Sequence, residues 1–254
     1  MRNKTAKILA IGSSMSMSNI NSQVITEKFQ TTSYLNYSSW GLNMFDIYRI
    51  LKIVSKKQTP STLIISSNIM DFYDNDKKFE QEVLSKFLTE KSTIKYHLTN
   101  LNINYYLDNL KQSRNYQNNE NYQSLKYDQY GGIELNSNHF KIHKDRWNDS
   151  AISKDISEKK YSYLDSISHY CKGNKIKLLF FQSPFRKEIA QKINSTLLQN
   201  HIAKVKCILS KRKHDFIDAT EIPWEDSLFV DATHFNSNGA KKYTKFCLDK
   251  IKIK

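Results

Sequence analysis

The 254-residue chain has only three cysteines, Cys171, Cys207 and Cys247. They are far apart, odd in number, and show neither metal-ligand spacing nor the pattern of a disulfide framework. All three stand in helical or apolar surroundings and read as reduced core thiols, because a free cysteine behaves as a small buried hydrophobe. Long apolar runs are missing too: none approaches the roughly 18 residues that a membrane-spanning helix needs. The opening "MRNKTAKILAIG" is basic, but its apolar stretch suits a strand better than a signal peptide. Without an export signal or a disulfide pattern, the expected compartment is the cytoplasm. No internal repeat is visible; the echo between "FIDAT" at 216–220 and "FVDATH" at 229–234 is too short to be architectural.

Acidic residues are few beside basic ones, 25 against 39, a formal net charge of +14. Such an excess attracts polyanions: nucleic acid, anionic lipid surfaces, acidic polysaccharide or phosphate-bearing cofactors. The lysines are scattered over every segment, so compositional bias is the competing explanation. No nucleic-acid motif accompanies the charge, while peripheral contact with a membrane stays open. His139 and His143 have the four-residue spacing of a helical metal pair, but their surroundings read as strand and no metal is expected. With 39% hydrophobic and 25% charged residues, the composition is that of a globular protein. One domain carrying an insertion is expected over residues 1–254.

Short apolar runs ending in small polar residues mark the strands. "ILAI", 8–11, stops at Gly12, Ser13 and Ser14; "SYLNYSSW", 33–40, stops at Gly41; "STLIISSN", 61–68, follows Pro60. Later come "NKIKLLFFQSPF", 174–185, with its Ile176–Phe181 core, and "HDFIDAT", 214–220. Continuous apolar runs suit strands buried on both faces. Helical spacing fills the gaps: Met44 to Val54, Ile156 to Cys171, Ile189 to Val205, and a last helix from Asn236 or Ser237 to Ile251. The alternation predicts an α/β fold, a three-layer sandwich around a five-stranded parallel sheet. Residues 75–150 break the rhythm and read as an insertion. Helical patterns run from Phe79 to Leu110, a polar loop covers 113–123, and a hairpin is expected around Gly131-Gly132.

Parallel strands deliver their carboxyl ends to one edge, where such sheets bind ligands. There the chain offers Ser14 as nucleophile, His234 as base and Asp231 to orient that base. The backbone N–H groups of Ser14 and Gly41 and the Asn68 amide are candidate oxyanion donors. This is the inventory of an acyl-transfer site in the order Ser, Asp, His. It predicts Ser14 Oγ at roughly 2.6–3.2 Å from His234 Nε2. Each residue also has a plain structural use: Ser14 or His234 at a helix start, Gly41 and Asn68 in turns. Asp218 could compete as the carboxylate, although a turn role suits it better.

These blocks resemble the SGNH/GDSL hydrolase superfamily. Ser14 in "IGSSMS", Gly41 in "SSWGLN", Asn68 in "IISSNIMD", and Asp231 and His234 in "VDATHFNSNGA" match its four blocks in order across nearly the whole chain. Ser13 stands where the family usually has Asp, Ser66 where it has Gly, and Ile69 where it has a second Asp. Such departures look similar to the branches that modify bacterial surface polysaccharides, O-acetyltransferases and acetylesterases. The resemblance implies a flavodoxin-like SGNH fold and a serine acyl-ester hydrolase or O-acyltransferase acting on carbohydrate. No bound cofactor is implied; acetyl-CoA is the expected donor if the reaction is transfer. The alternative is a non-catalytic polyanion- or polysaccharide-binding module on the same fold. Trp40, Ser13, Tyr130 and Trp147 are the expected substrate contacts, with the insertion as a lid or acceptor wall.

Overall fold

The structure is a computed structural model, and it describes residues 5–73, 107, 126–135 and 156–251. Its centre is a five-stranded, all-parallel sheet. The strands are β1 (Ile8–Ala10), β2 (Tyr34–Asn36), β3 (Thr62–Ser67), β6 (Lys177–Gln182) and β7 (Asp215–Asp218), in the spatial order β2-β1-β3-β6-β7. This is the doubly wound order whose switch point lies between β1 and β3. Helices cover both faces. On one side α3 (Met44–Val54), α4 (Glu158–Gly173) and α6 (Ser195–Ser210) pack on Leu9, Leu63, Ile65, Leu178 and Phe180. On the other, α2 (Ser22–Lys28) and α7 (Ser237–Asp249) meet Ile8, Ala10, Ile64, Leu179 and Phe181. Alternate residues of each strand feed opposite cores, which is why the strands read as unbroken apolar runs.

Local chemistry fixes the element ends. Asn43 caps α3 in a reciprocal capping box with Asp46, and the Asn236 side chain accepts from Gly239 N to cap α7. Two short helices between β1 and β2, α1 (Ser14–Ser18) and α2, have too few turns to show a period in the sequence. The segment around Ile189 to Val205, expected as one pattern, is two helices. The short α5 (Lys187–Ala190) ends before Asn194, whose side chain caps α6. Cys171 and Cys247 are buried, but Cys207 lies exposed on α6, so the expectation of three core thiols holds only for the first two.

Within the expected insertion, 126–135 forms an antiparallel hairpin of β4 (Lys126–Tyr127) and β5 (Ile133–Glu134). Gly131 takes the turn at φ 94°, a conformation that glycine adopts without steric cost. Ile133 and Leu135 pack with Met17, Val230 and the half-buried Trp40. The helical pattern from Phe79 to Leu110 (Leu107 apart), the loop 113–123, Trp147, His139 and His143 lie outside the described residues. Among those residues, no helix is long and apolar enough to cross a membrane.

Candidate active site

Register brings the separated blocks to one level. Ala10 pairs with Asn36 on one side and Ile64 on the other. Ser14, Trp40 and Asn68 each stand four residues beyond those partners and therefore share the carboxyl edge of neighbouring strands. Ser14 opens α1, and its helix is anchored to β3 through Ser16, which donates to Ser66 O (2.8 Å) and accepts from Ser66 N (2.7 Å). Gly12 leaves room for this bond. A Cβ there would lie 2.0 Å from Ser16 Oγ and 2.5 Å from its Cβ.

The last block is a small closed loop. Phe229 and Phe235 form an antiparallel bridge with rings stacked 4.3 Å apart, and Val230 N donates to His234 O at 2.9 Å. Gly239 lets α7 approach this loop, since a Cβ would meet Leu228 O at 2.3 Å. Inside it the buried Asp231 accepts through Oδ1 from the N–H groups of Thr233 and His234, both at 2.8 Å. Its Oδ2 lies 2.7 Å from His234 Nδ1. A carboxylate can only accept, so Nδ1 carries the proton and Nε2 is left to accept. His234 Nε2 lies 2.7 Å from Ser14 Oγ across 220 residues of sequence. The "DAT" echo has a local cause as well: Asp218 and Asp231 each accept from the Thr N–H two residues on, the same Asx turn. Asp218 stays in that turn, and Asp231 is the carboxylate at the imidazole.

The remaining candidates separate. The Asn68 side chain accepts from Met70 N at 2.9 Å, while its Nδ2 is buried with no hydrogen-bond partner among the described residues. A buried donor left open is uncommon and suits an acceptor supplied from outside the chain. Gly41 follows Trp40 at φ 68°, and Trp40 meets the His234 ring edge-on at 5.7 Å. Ser13 and Tyr130, expected as substrate contacts, both have partners within the chain. Ser13 is only 1% exposed; its hydroxyl caps α1, accepting from Met15 N, and donates to Asp71 at 2.9 Å. Tyr130 packs its ring on Tyr34 at 5.8 Å, and its carbonyl accepts from Asn36 N, so it covers the β2 edge.

Two buried residues of this region had no signal as single letters in the sequence. Asn19 ties α1, which Ser14 opens, to the loop that carries His234. It donates to Thr233 O (2.9 Å) and Ser183 Oγ (3.0 Å) and accepts from Phe235 N (2.9 Å). Asp71 holds Ser13 from beneath. Burial pushes its carboxyl up to about 7, against the lowering effect of hydrogen bonds from Ser67 and Ser13 and of nearby His234. The sequence departs from the family pattern at Ser13 and Ile69, and this carboxylate three residues after Asn68 meets the serine that stands at the first of those positions.

A protein-family model matches residues 114–253, more than half of the chain, so the chain belongs to that family. No curated protein matches the sequence. Among solved structures, a catalytic mutant of an acetylxylan esterase from Geobacillus stearothermophilus aligns at TM-score 0.50 and 11% identity, covering 100% of this chain and 98% of that one. A mutant of an acetyl-xylooligosaccharide esterase, also from Geobacillus, aligns at TM-score 0.50 and 12% identity with the same coverage. A GDSL-like lipase from Bacteroides thetaiotaomicron aligns at 0.44 and 12%, covering 96% of this chain and 87% of that one. With its five-stranded parallel sheet between two helical layers, the chain has the fold of the SGNH/GDSL hydrolases.

Proposed function

We propose that the protein is a serine-dependent acyl-ester hydrolase or O-acyltransferase that handles an acetyl group on carbohydrate. One observation carries this reading: Ser14, His234 and Asp231 form a continuous hydrogen-bonded chain with both links at 2.7 Å. In the reaction Ser14 Oγ attacks the ester carbonyl carbon while its proton moves to His234 Nε2. Asp231 holds the imidazole in the required tautomer and stabilises the imidazolium that forms. The oxyanion is met by the open Asn68 Nδ2 and by the N–H groups of Ser14 and Gly41. Collapse breaks the bond to the leaving alkoxide or thiolate, which takes the proton from His234. Water or a sugar hydroxyl then attacks the acyl-enzyme by the reverse sequence.

The acetyl and carbohydrate parts of the reading rest on the family resemblance, on the activity of the esterases whose structures align with this chain, and on the half-buried Trp40 beside His234. An indole face packs well on a sugar ring. Acetate release from acetylated oligosaccharide, run beside transfer from acetyl-CoA to the unmodified sugar, separates hydrolase from transferase. Activity in neither assay would favour the binding module. In whichever assay is active, Asn68→Ala is expected to lower kcat by about 100-fold with little change in KM, the usual cost of one oxyanion donor. Unchanged kcat would remove Asn68 from the site.

A further inference from the structure

Among the described residues, charge is divided unevenly between the two edges of the sheet. Parallel strands all enter from one edge, and the helices between them return there. Lys7 N and O pair with the starts of β2 and β3, and Lys177 N donates to Ser61 O at 2.8 Å, so these entries lie at one level. Lys56 and Lys57 stand between α3 and β3, Lys172 and Lys175 at the exit of α4, and Lys211 and Lys213 between α6 and β7. With Lys7, all are exposed, and none pairs with a carboxylate among the described residues. Three acids of this half of the molecule are already engaged, Asp215 with Lys177, Asp165 with Arg212, and Asp249 with Lys28. Around the exits of β6 and β7 at the catalytic edge, the described Glu188, Asp218, Glu221, Glu225 and Asp226 outnumber Arg186, Lys187 and Lys192.

We infer that the strand-entry edge is a docking surface for an anionic lipid bilayer, with the catalytic edge facing away into solution. Lysines at helix C-termini and acids at helix N-termini both suit the helix dipole, but that effect needs only one cation per helix, whereas Lys56 and Lys57 follow α3, Lys172 and Lys175 close α4, and Lys211 and Lys213 follow α6. The chemistry favours a lipid surface over nucleic acid. The free cations are lysines, compact hydrated charges that suit a fluid layer of headgroups. The one arginine in these turns, Arg212, is committed to Asp165 at 2.6 and 3.2 Å. No Phe, Tyr or Trp stands in the turns 55–59, 172–176 or 211–214 to stack on bases. The inference is independent of the acyl-transfer reading, since it concerns the far edge.

Co-sedimentation of the full chain with phosphatidylcholine vesicles, and with vesicles also containing phosphatidylglycerol, tests it. Binding is expected only to the anionic vesicles and is expected to fall steeply with added salt. Lys172→Gln/Lys175→Gln/Lys213→Gln should weaken it by about tenfold or more. Lys159→Gln/Lys241→Gln/Lys242→Gln removes the same charge from exposed positions near the N-termini of α4 and α7, at the opposite edge, and should change it by less than about twofold. Thermal unfolding checks that both triple variants fold. Absence of binding to anionic vesicles at low salt, equal losses in the two variants, or heparin holding the protein more tightly than the vesicles would each overturn the inference.

Discussion

Replacing Ser14 by alanine is expected to lower ester turnover by a factor on the order of 10⁴ or more, and to abolish labelling by a fluorophosphonate probe. The magnitude follows from the connectivity of the site. Ser14 Oγ, His234 and Asp231 are linked at 2.7 Å per step, and groups acting as one unit lose most of their effect when any one is removed. Asp231→Asn should cost about 10⁴ as well, because an amide can leave His234 in the wrong tautomer. Intact mass analysis after labelling is the direct test. One adduct on the wild-type chain, at Ser14 and not at Ser13 or Ser16, is the expected result. Ser16 is spoken for by the backbone of Ser66, and Ser13 by Asp71. An adduct that persists in Ser14→Ala would assign the nucleophile elsewhere.

Asp71→Asn is expected to remove a pH-dependent loss of stability worth about 4 kcal/mol. Burial raises this carboxyl from 3.8 to about 7 in the folded protein. In the unfolded chain it ionises near its ordinary value. Between those limits the native state holds a proton that the unfolded state has released, so stability falls as pH rises through the interval. The loss is complete above the folded value and absent below the unfolded one. Urea unfolding at about pH 4 and about pH 8 should therefore show the asparagine variant gaining on the wild type at the higher pH, with little difference at the lower. A difference independent of pH would mean that the carboxyl ionises freely. Asp71 accepts from Ser13 at 2.9 Å, and Ser13 both caps α1 and precedes Ser14. The same variant should therefore move the pH profile of turnover if Asp71 positions the nucleophile.

The doubly buried strands were legible because each is a short apolar run that must feed two cores. Ile8 and Ala10 face one layer and Leu9 the other, and no amphipathic pattern would have served. The end of each run was legible too, since Gly12 admits the Ser16 bond and Asn236 caps α7. From these alone the α/β class, the parallel sheet and the placing of Ser14 and Asn68 at one edge follow. Composition does not show a partner that lies far away in sequence. Ser13 donates to Asp71, 58 residues on, and the Tyr130 ring packs on Tyr34.

By itself, then, the sequence determined which chemical groups sit at the ends of which strands, because strand period and turn chemistry act over a few residues. Only the tertiary structure decided which of those groups meet. The 2.7 Å contact between Ser14 and His234, the clasp of Asn19 on Thr233 and Phe235 and the sorting of lysines to one edge all depend on strand order and register. Those are set by the packing of the whole sheet between its helices, which no local stretch of the chain encodes.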